Sequence, residues 1–313
     1  MNSPGTSGYR ALRAGAAWLD LSARGKLRAR GEDRARLLHA MTTNHVEGLP
    51  PGQGCYAFFL NAQGRILGDA NVLCLADHLL LDTEPETVRR LHEHLEKHII
   101  ADDVTLEDAT GAMCAIGIEG PRAEDVLSGM GALLPPEEPC AHVAWQERLV
   151  ARLSFTGERG LRIFAPMTQR DELVQSLEAA SPEEARVVRL EHGLPRYGED
   201  ITEHHLVQET QLLRAMHFHK GCYLGQEIVE RVRSRGHVNR LLVRLSIESE
   251  RAPDPDAPVF SADVQIGSVT SAAFSPALGN VVGLAYVRAD QARKGTPIKV
   301  GDTRGEIADS RPG

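Results

Sequence analysis

KGCYLGQEIVERVR, Lys220 to Arg233, sets one cysteine among a lysine, a tyrosine, two glycines and a run of alternating charge. By residue type alone, three readings stand open for Cys222: a nucleophile, a metal ligand, or a small residue in a tight turn beside a binding site. Lys220 nearby would favour the thiolate, and a following helix N-terminus would act in the same direction through its partial positive charge. A buried small residue after a glycine turn is the plainer alternative. Outward from this stretch, residues 217–244 hold six Lys or Arg against two acids, in a chain of net charge -8. A solvated or salt-bridged face accounts for such a run, and an anionic ligand tail is the sharper reading.

Composition narrows the choice. The five cysteines, Cys55, Cys74, Cys114, Cys140 and Cys222, are spread without a CxxC pair. That spacing encodes neither a disulfide framework nor a self-contained zinc site, so no metal is expected. The acidic balance argues against a surface built to grip nucleic acid, which needs clustered basic side chains. No apolar run approaches the roughly 20 residues that span a bilayer, and the start, MNSPGTSGYRALRAG, lacks the apolar core of a secretory signal. The expectation is a cytoplasmic protein with neither membrane nor nucleic-acid partners. A length of 313 residues suits two or three domains.

Periodicity orders the elements. LRARG (27–31) reads as a strand, and Leu37, Leu38 and Met41 give 32–41 a helical apolar spacing that should end before TTN at 42–44. CYAFFL, the turn NAQG (61–64) and RILGDANVLCL read as a hairpin, continued by LLLDT. Pro85 should open a helix whose apolar face is Val88, Leu91, Leu95 and Ile99. Strands at 104–107 and 113–118, a short helix begun by Pro121, and the loop GMGALLPPEEPC follow. Next come a hairpin, ERLVARLSF, TGERG and LRIFA, and a helix capped by SPEE (181–184). From Gly236, NRLLVRLSIES, VQIGSVTS, NVVGLAYV and PIKV are β-type runs that fit a small barrel.

RLEHGLPRYGED (189–200) places Glu191 and His192 at a helix end, before Tyr197, Glu199 and Asp200. A carboxylate turned inward there could accept two hydrogen bonds from an amino-nitrogen heterocycle, whereas a solvated helix-terminal acid is the plain alternative. His94 and His98 share a helix face at i, i+4 but lack the glutamate of HExxH, and the pairs His204/His205 and His217/His219 carry no specific pattern.

KGCYLGQE, with Arg231 beyond it, resembles the signature of the YgfZ proteins, folate-binding relatives of the glycine-cleavage aminomethyltransferase that support iron-sulfur cluster proteins. MTTNHVEGLPPGQGCYAFFLNAQGRILGD, SFTGERGLRIFAP, RLEHGLPRYGED and IGSVTSAAFSPALGNVVGLAYV fall in the same family's order, so the resemblance covers nearly the whole chain. It implies an α+β fold of three lobes around a central channel. Residues 1–138 and 139–235 would form two interleaved folate-binding lobes, and 236–313 the C-terminal β-barrel.

The implied cofactor is tetrahydrofolate or a one-carbon derivative, and the implied partners are iron-sulfur client or assembly proteins. Glu191 takes the position of the glutamate that holds the pterin ring, and Asp69 lines the channel. Tyr197 and Tyr223 join the folate contacts, and Lys220 and Arg231 would favour the glutamate tail. Asp69 and Cys222 are the catalytic candidates, Cys222 as a redox-active or cluster-contacting thiol.

Asp69 matches the second acid of the GxIxDD pattern of the aminomethyltransferases, while Gly68 replaces the first. Relatives with transferase activity usually carry an acid where Cys222 stands. The competing reading is a folate-dependent aminomethyl or methyl transferase, or a demethylase, that uses Asp69 as its acid-base group.

Overall fold

The computed structural model describes residues 5–309. Met1–Pro4, part of the stretch read for a signal, and residues 310–313 lie outside the described residues. The chain starts with α1 (Ser7–Ala14) and β1 (Ala17–Asp20), then β2 (Gly25–Arg30) and α2 (Arg34–Met41). The hairpin β3 (Gly54–Leu60) and β4 (Ile66–Cys74) comes next, then β5 (Leu79–Thr83), α3 (Val88–Glu96), β6 (Thr105–Asp108), β7 (Met113–Glu119) and α4 (Ala123–Gly129). The middle holds β8 (His142–Trp145), β9 (Arg148–Ala151), β10 (Gly160–Pro166), α5 (Arg170–Val174), α6 (Pro182–Glu191), α7 (Val207–Thr210) and α8 (Gln226–Arg235). Six strands finish it: β11 (Arg240–Ile247), β12 (Pro258–Ser261), β13 (Val264–Ser275), β14 (Asn280–Arg288), β15 (Pro297–Val300) and β16 (Thr303–Asp309).

Two antiparallel five-stranded sheets, ordered β3-β4-β5-β2-β6 and β1-β7-β10-β9-β8, stand beside a closed barrel ordered β11-β14-β13-β12-β15-β16. The sheets interleave along the chain, because β1 and β7 leave the first half to join β8–β10. The first sheet buries Leu27, Phe59, Val72 and Leu81 against Leu38 of α2 and Leu91 and Leu95 of α3. The second packs Ile116, Ile118 and Ile163 on Leu127 of α4 and Leu173 of α5. A shared cluster joins them: Leu73 and Leu80 from one sheet, Ala115 and Phe164 from the other, and Leu12 and Val188 from α1 and α6. The barrel closes its sheet on itself, so no edge is left to pair with a stranger.

Local chemistry explains the turns and caps. Asn61 Oδ1 accepts from the amides of Gln63 at 3.0 Å and Arg65 at 2.9 Å, and Gly64 takes φ +70, so NAQG turns β3 into β4. SPEE forms a full capping box: Ser181 Oγ accepts from the Glu184 amide at 3.2 Å, and Glu184 Oε2 accepts from the Ser181 amide at 2.7 Å.

Pro85 does not open the helix. The Thr87 amide and hydroxyl both donate to the Glu84 carbonyl, at 3.0 and 2.9 Å, which places the proline second in a tight turn and delays α3 to Val88. Sequence periodicity also passed over α1, β1, β8, β12 and β16; all five have only four to eight residues, too short to show a period.

Candidate functional site

The two sheets and the segments around α6 line an open channel of about 530 Å³, within the usual range for small-molecule sites, to which the barrel contributes no side chain among the described residues. β3 and β4 contribute Tyr56, Asp69 and Asn71, β10 contributes Arg162, the loops before β8 and after β9 contribute Cys140 and Phe155, and the segment after α6 contributes Leu194, Pro195 and Arg196. Cross-strand register explains the first group. Tyr56 faces Asn71 and Phe58 faces Asp69, so alternation puts all four on one face of the hairpin.

Alternation also settles the missing acid at position 68. A Cβ on Gly68 would lie 3.2 Å from Thr87 Cβ and from Leu91 Cδ2, against α3 and away from the face that carries Asp69. An acid there would be buried on apolar side chains rather than turned into the channel. Gly68→Asp is therefore expected to cost more than ~2 kcal/mol of stability by denaturant unfolding, and to leave the chemistry of Asp69 unassisted. An unchanged midpoint would overturn this placement.

A buried ion network forms the channel floor. Asp82 on β5 accepts from Arg24 Nε at 2.9 Å, from Asn71 Nδ2 at 2.9 Å and from Arg162 Nη1 of the second sheet. Glu84 pairs with Arg24 Nη1 and, at 2.8 Å, with Arg196 Nε, whose Nη2 reaches Glu86 at 2.8 Å. These pairs tie both sheets and the segment after α6 to one floor. Asp69 sits beside it, 7% exposed, and accepts from the Tyr56 phenol at 2.6 Å. Burial first, and then the Glu84 carboxylate, push Asp69 up to about 6, while Tyr56 and Arg24 act against that rise. At neutral pH it is an ionised acceptor that takes up a proton in mildly acidic conditions.

The structure does not gather the other predicted residues around Asp69. Glu191 ends α6 at the seat of the barrel: its Oε1 accepts from Tyr9 Oη at 2.5 Å and from Ser275 Oγ of β13 at 2.6 Å. Its Oε2 lies 3.3 Å from Arg13 Nε but has no hydrogen bond among the described residues. Tyr197 is buried beneath the hairpin, where its phenol donates to the Ile66 carbonyl at 3.2 Å and accepts from Arg90 at 3.2 Å.

Lys220 does not offer its charge to an anionic tail. Its ammonium donates to the carbonyls of His39, Thr42 and, at 2.8 Å, Asn44, which closes the C-terminal end of α2. Tyr223 lies under that ammonium, 4.8 Å from ring centroid to Nζ. Arg231 pairs with Glu227 at 2.8 Å on the exposed side of α8. Cys222 is exposed, so the reading of a buried turn residue is corrected, and it does not line the channel. α8 does begin just beyond it, after Gly225 at φ +82.

Sequence reasoning missed Tyr56, Asn71 and Arg162, although their places on alternating strands beside RILGDAN carried a signal for the first two. It also missed the role of RLEHGLPRYGED as the seat of β13. Asp200 Oδ1 accepts from Thr270 at 2.6 Å and from Ser271, and its Oδ2 accepts from Arg189 at 2.8 Å. Among the described residues, no three His, Cys, Asp or Glu side chains converge on a metal-sized site, and no helix is long and apolar enough to cross a membrane.

Residues 5–220 match the GCVT N-terminal domain family and residues 240–309 the glycine cleavage T-protein C-terminal barrel domain. An aminomethyltransferase of Rubrobacter xylanophilus is 29% identical over 89% of this chain and 78% of its own. One of Streptomyces avermitilis is 29% identical over 94% and 84%. The crystal structure of the glycine cleavage system aminomethyltransferase T from Bartonella henselae superposes with a TM-score of 0.86 over 97% of this chain and 90% of that one, at 22% identity. This chain has the same fold.

Proposed function

The chain belongs to the glycine cleavage T-protein family, and from that premise we propose that it binds a reduced folate in the channel and acts, as YgfZ proteins do, in support of iron-sulfur proteins. The observation that carries the folate reading is Asp69, a buried carboxylate with raised proton affinity on the wall of a channel of suitable size. The residues fit the ligand. Asp69 and Asn71 offer acceptors to ring N–H groups, and Tyr56 and Phe155 offer ring faces.

Glu191 Oε2, a buried acceptor that faces Arg13 Nε at 3.3 Å without a hydrogen bond, offers one acceptor to a ligand N–H at the end of α6, beside rather than in the channel lining. Bound tetrahydrofolate would supply a carrier for one-carbon units. The cysteine of KGCYLGQE, in place of an acid, supports the YgfZ branch, and its exposure suits a thiol that meets partner proteins. Aminomethyl or methyl transfer is the second reading, favoured by the same Asp69.

Calorimetry with tetrahydrofolate should show binding by the parent protein and weakened binding by Asp69→Ala and Glu191→Ala. A normal affinity in either variant removes that residue from the site. Loss of iron-sulfur enzyme activity in a deletion strain, restored by the parent gene and not by Cys222→Ser, supports the first reading. Folate-dependent turnover with a methylamine-type donor, lowered by several powers of ten in Asp69→Ala, would replace it with the second.

A further inference from the structure

Tyr56 stands on β3 diagonally across from Asp69 on β4, on the same face, and its phenol reaches Oδ2 at 2.6 Å. The ring itself is held. Its edge packs on Phe58 at 5.6 Å between centroids, and the Arg214 guanidinium lies over its face at 5.5 Å. The backbone carbonyl of Tyr56 accepts from Asn44 Nδ2 at 2.9 Å, and Asn44 Nδ2 also donates to the Arg214 carbonyl at 2.9 Å. Phenol, carboxylate, asparagine and guanidinium all line the channel. Position 68 faces α3, and it is this phenol on the hairpin that donates a hydrogen bond to Asp69.

We propose that Tyr56 is a positioning residue: its phenol fixes the Asp69 carboxylate in one orientation and keeps it available as the acceptor for a ligand N–H in the channel. The proposal rests on the reduced-folate reading above for the identity of that ligand. A phenol that donates to one carboxylate oxygen leaves the other to the ligand and favours the ionised form. The charges that face Asp69 otherwise come from Arg24 before β2 and from Asp82 and Glu84 at the end of β5, where the two acids oppose ionisation and Arg24 favours it. Tyr56 and Glu84 therefore act in opposite directions on the same carboxylate.

The test is a pH titration of two kinds on the full-length protein. In the ligand-free protein, carboxyl carbon NMR, with the Asp69 signal assigned by its absence in Asp69→Asn, should show a midpoint near 6. Tyr56→Phe should raise that midpoint by about one pH unit, because hydrogen bonds to charged groups are among the strong ones. Glu84→Gln should lower it. Opposite signs separate tuning from general loosening, which would move both variants alike.

The affinity for tetrahydrofolate, measured by calorimetry from pH 5 to 8, should fall on the acid side with the same midpoints, about tenfold earlier loss in Tyr56→Phe. An unmoved midpoint in folded Tyr56→Phe overturns the role of Tyr56. If the NMR midpoints move as expected and tetrahydrofolate binds none of the proteins, the positioning holds and the folate reading falls. If Tyr56→Phe weakens binding by one constant factor at every pH, the phenol only packs and the proposal fails.

Discussion

Asp82→Ala is expected to remove about 3–5 kcal/mol of unfolding free energy, a large part of the ~5–15 kcal/mol that holds a typical domain. Arg162 is fully buried, and every hydrogen bond its guanidinium makes among the described residues goes to Asp82; its Nε has none. Removing the acid leaves an uncompensated charge between the two sheets, at the place where they are tied together. Arg24 suffers less, because Glu84 remains its partner. Denaturant unfolding measures the effect, and a loss below ~1 kcal/mol would contradict it. The double variant Asp82→Leu/Arg162→Met should regain part of the loss, since apolar side chains of similar volume remove the stranded charge of Arg162, whereas Arg24 Nε and Asn71 Nδ2 still lose their acceptor. Glu84 and Arg24, which act more strongly than Asp82 on Asp69, would remain in place.

Lys220→Met should cost about 3 kcal/mol and open the signature loop first. The ammonium satisfies three carbonyls at and beyond the end of α2, groups that have no intrahelical partner. A methionine fills the volume and returns none of the hydrogen bonds, each of which is strengthened by charge. The loop is fastened to the same place by the Leu224 amide, which donates to the Ala40 carbonyl at 2.9 Å, and by the His217 amide, which donates to Thr43 at 3.0 Å. Hydrogen exchange at those two amides should quicken more than exchange in the barrel. Equal protection in parent and variant would show that the loop is held by other means. Because Cys222 lies between these fastenings, the variant should also release the cysteine from its fixed exposed position.

Much of the fold was legible because its signals are local. The strand-like runs CYAFFL and RILGDANVLCL, the turn chemistry of NAQG, the SPEE cap and the β runs after Gly236 each depend on neighbours within a few residues. Pro85 misled because a proline suits the first turn of a helix and the second place of a tight turn equally well. The short outer strands were missed because four residues hold only two repeats of a period of two. At the site, the pattern RILGDAN placed Asp69 in a strand. It did not identify the phenol that would stand next to it.

By itself, then, the sequence determined most of the longer elements, the glycine cleavage T-protein family and the one acid on a channel-forming hairpin. Tertiary structure decided what each polar side chain does. Lys220 reads as a charge for an anionic ligand, yet its ammonium closes a helix end lying 178 positions away in the chain. Glu191 reads as a carboxylate for a ligand heterocycle, yet Tyr9 and Ser275, 266 positions apart in the chain, both claim one of its oxygens. Gly68 reads as a missing catalytic acid, yet its face of the strand belongs to α3. The physical reason is common to all three. Backbone periodicity fixes which face a residue occupies over distances of a few residues, whereas a hydrogen bond or ion pair forms with whatever the folded chain brings within about 3 Å, however far along the sequence it began.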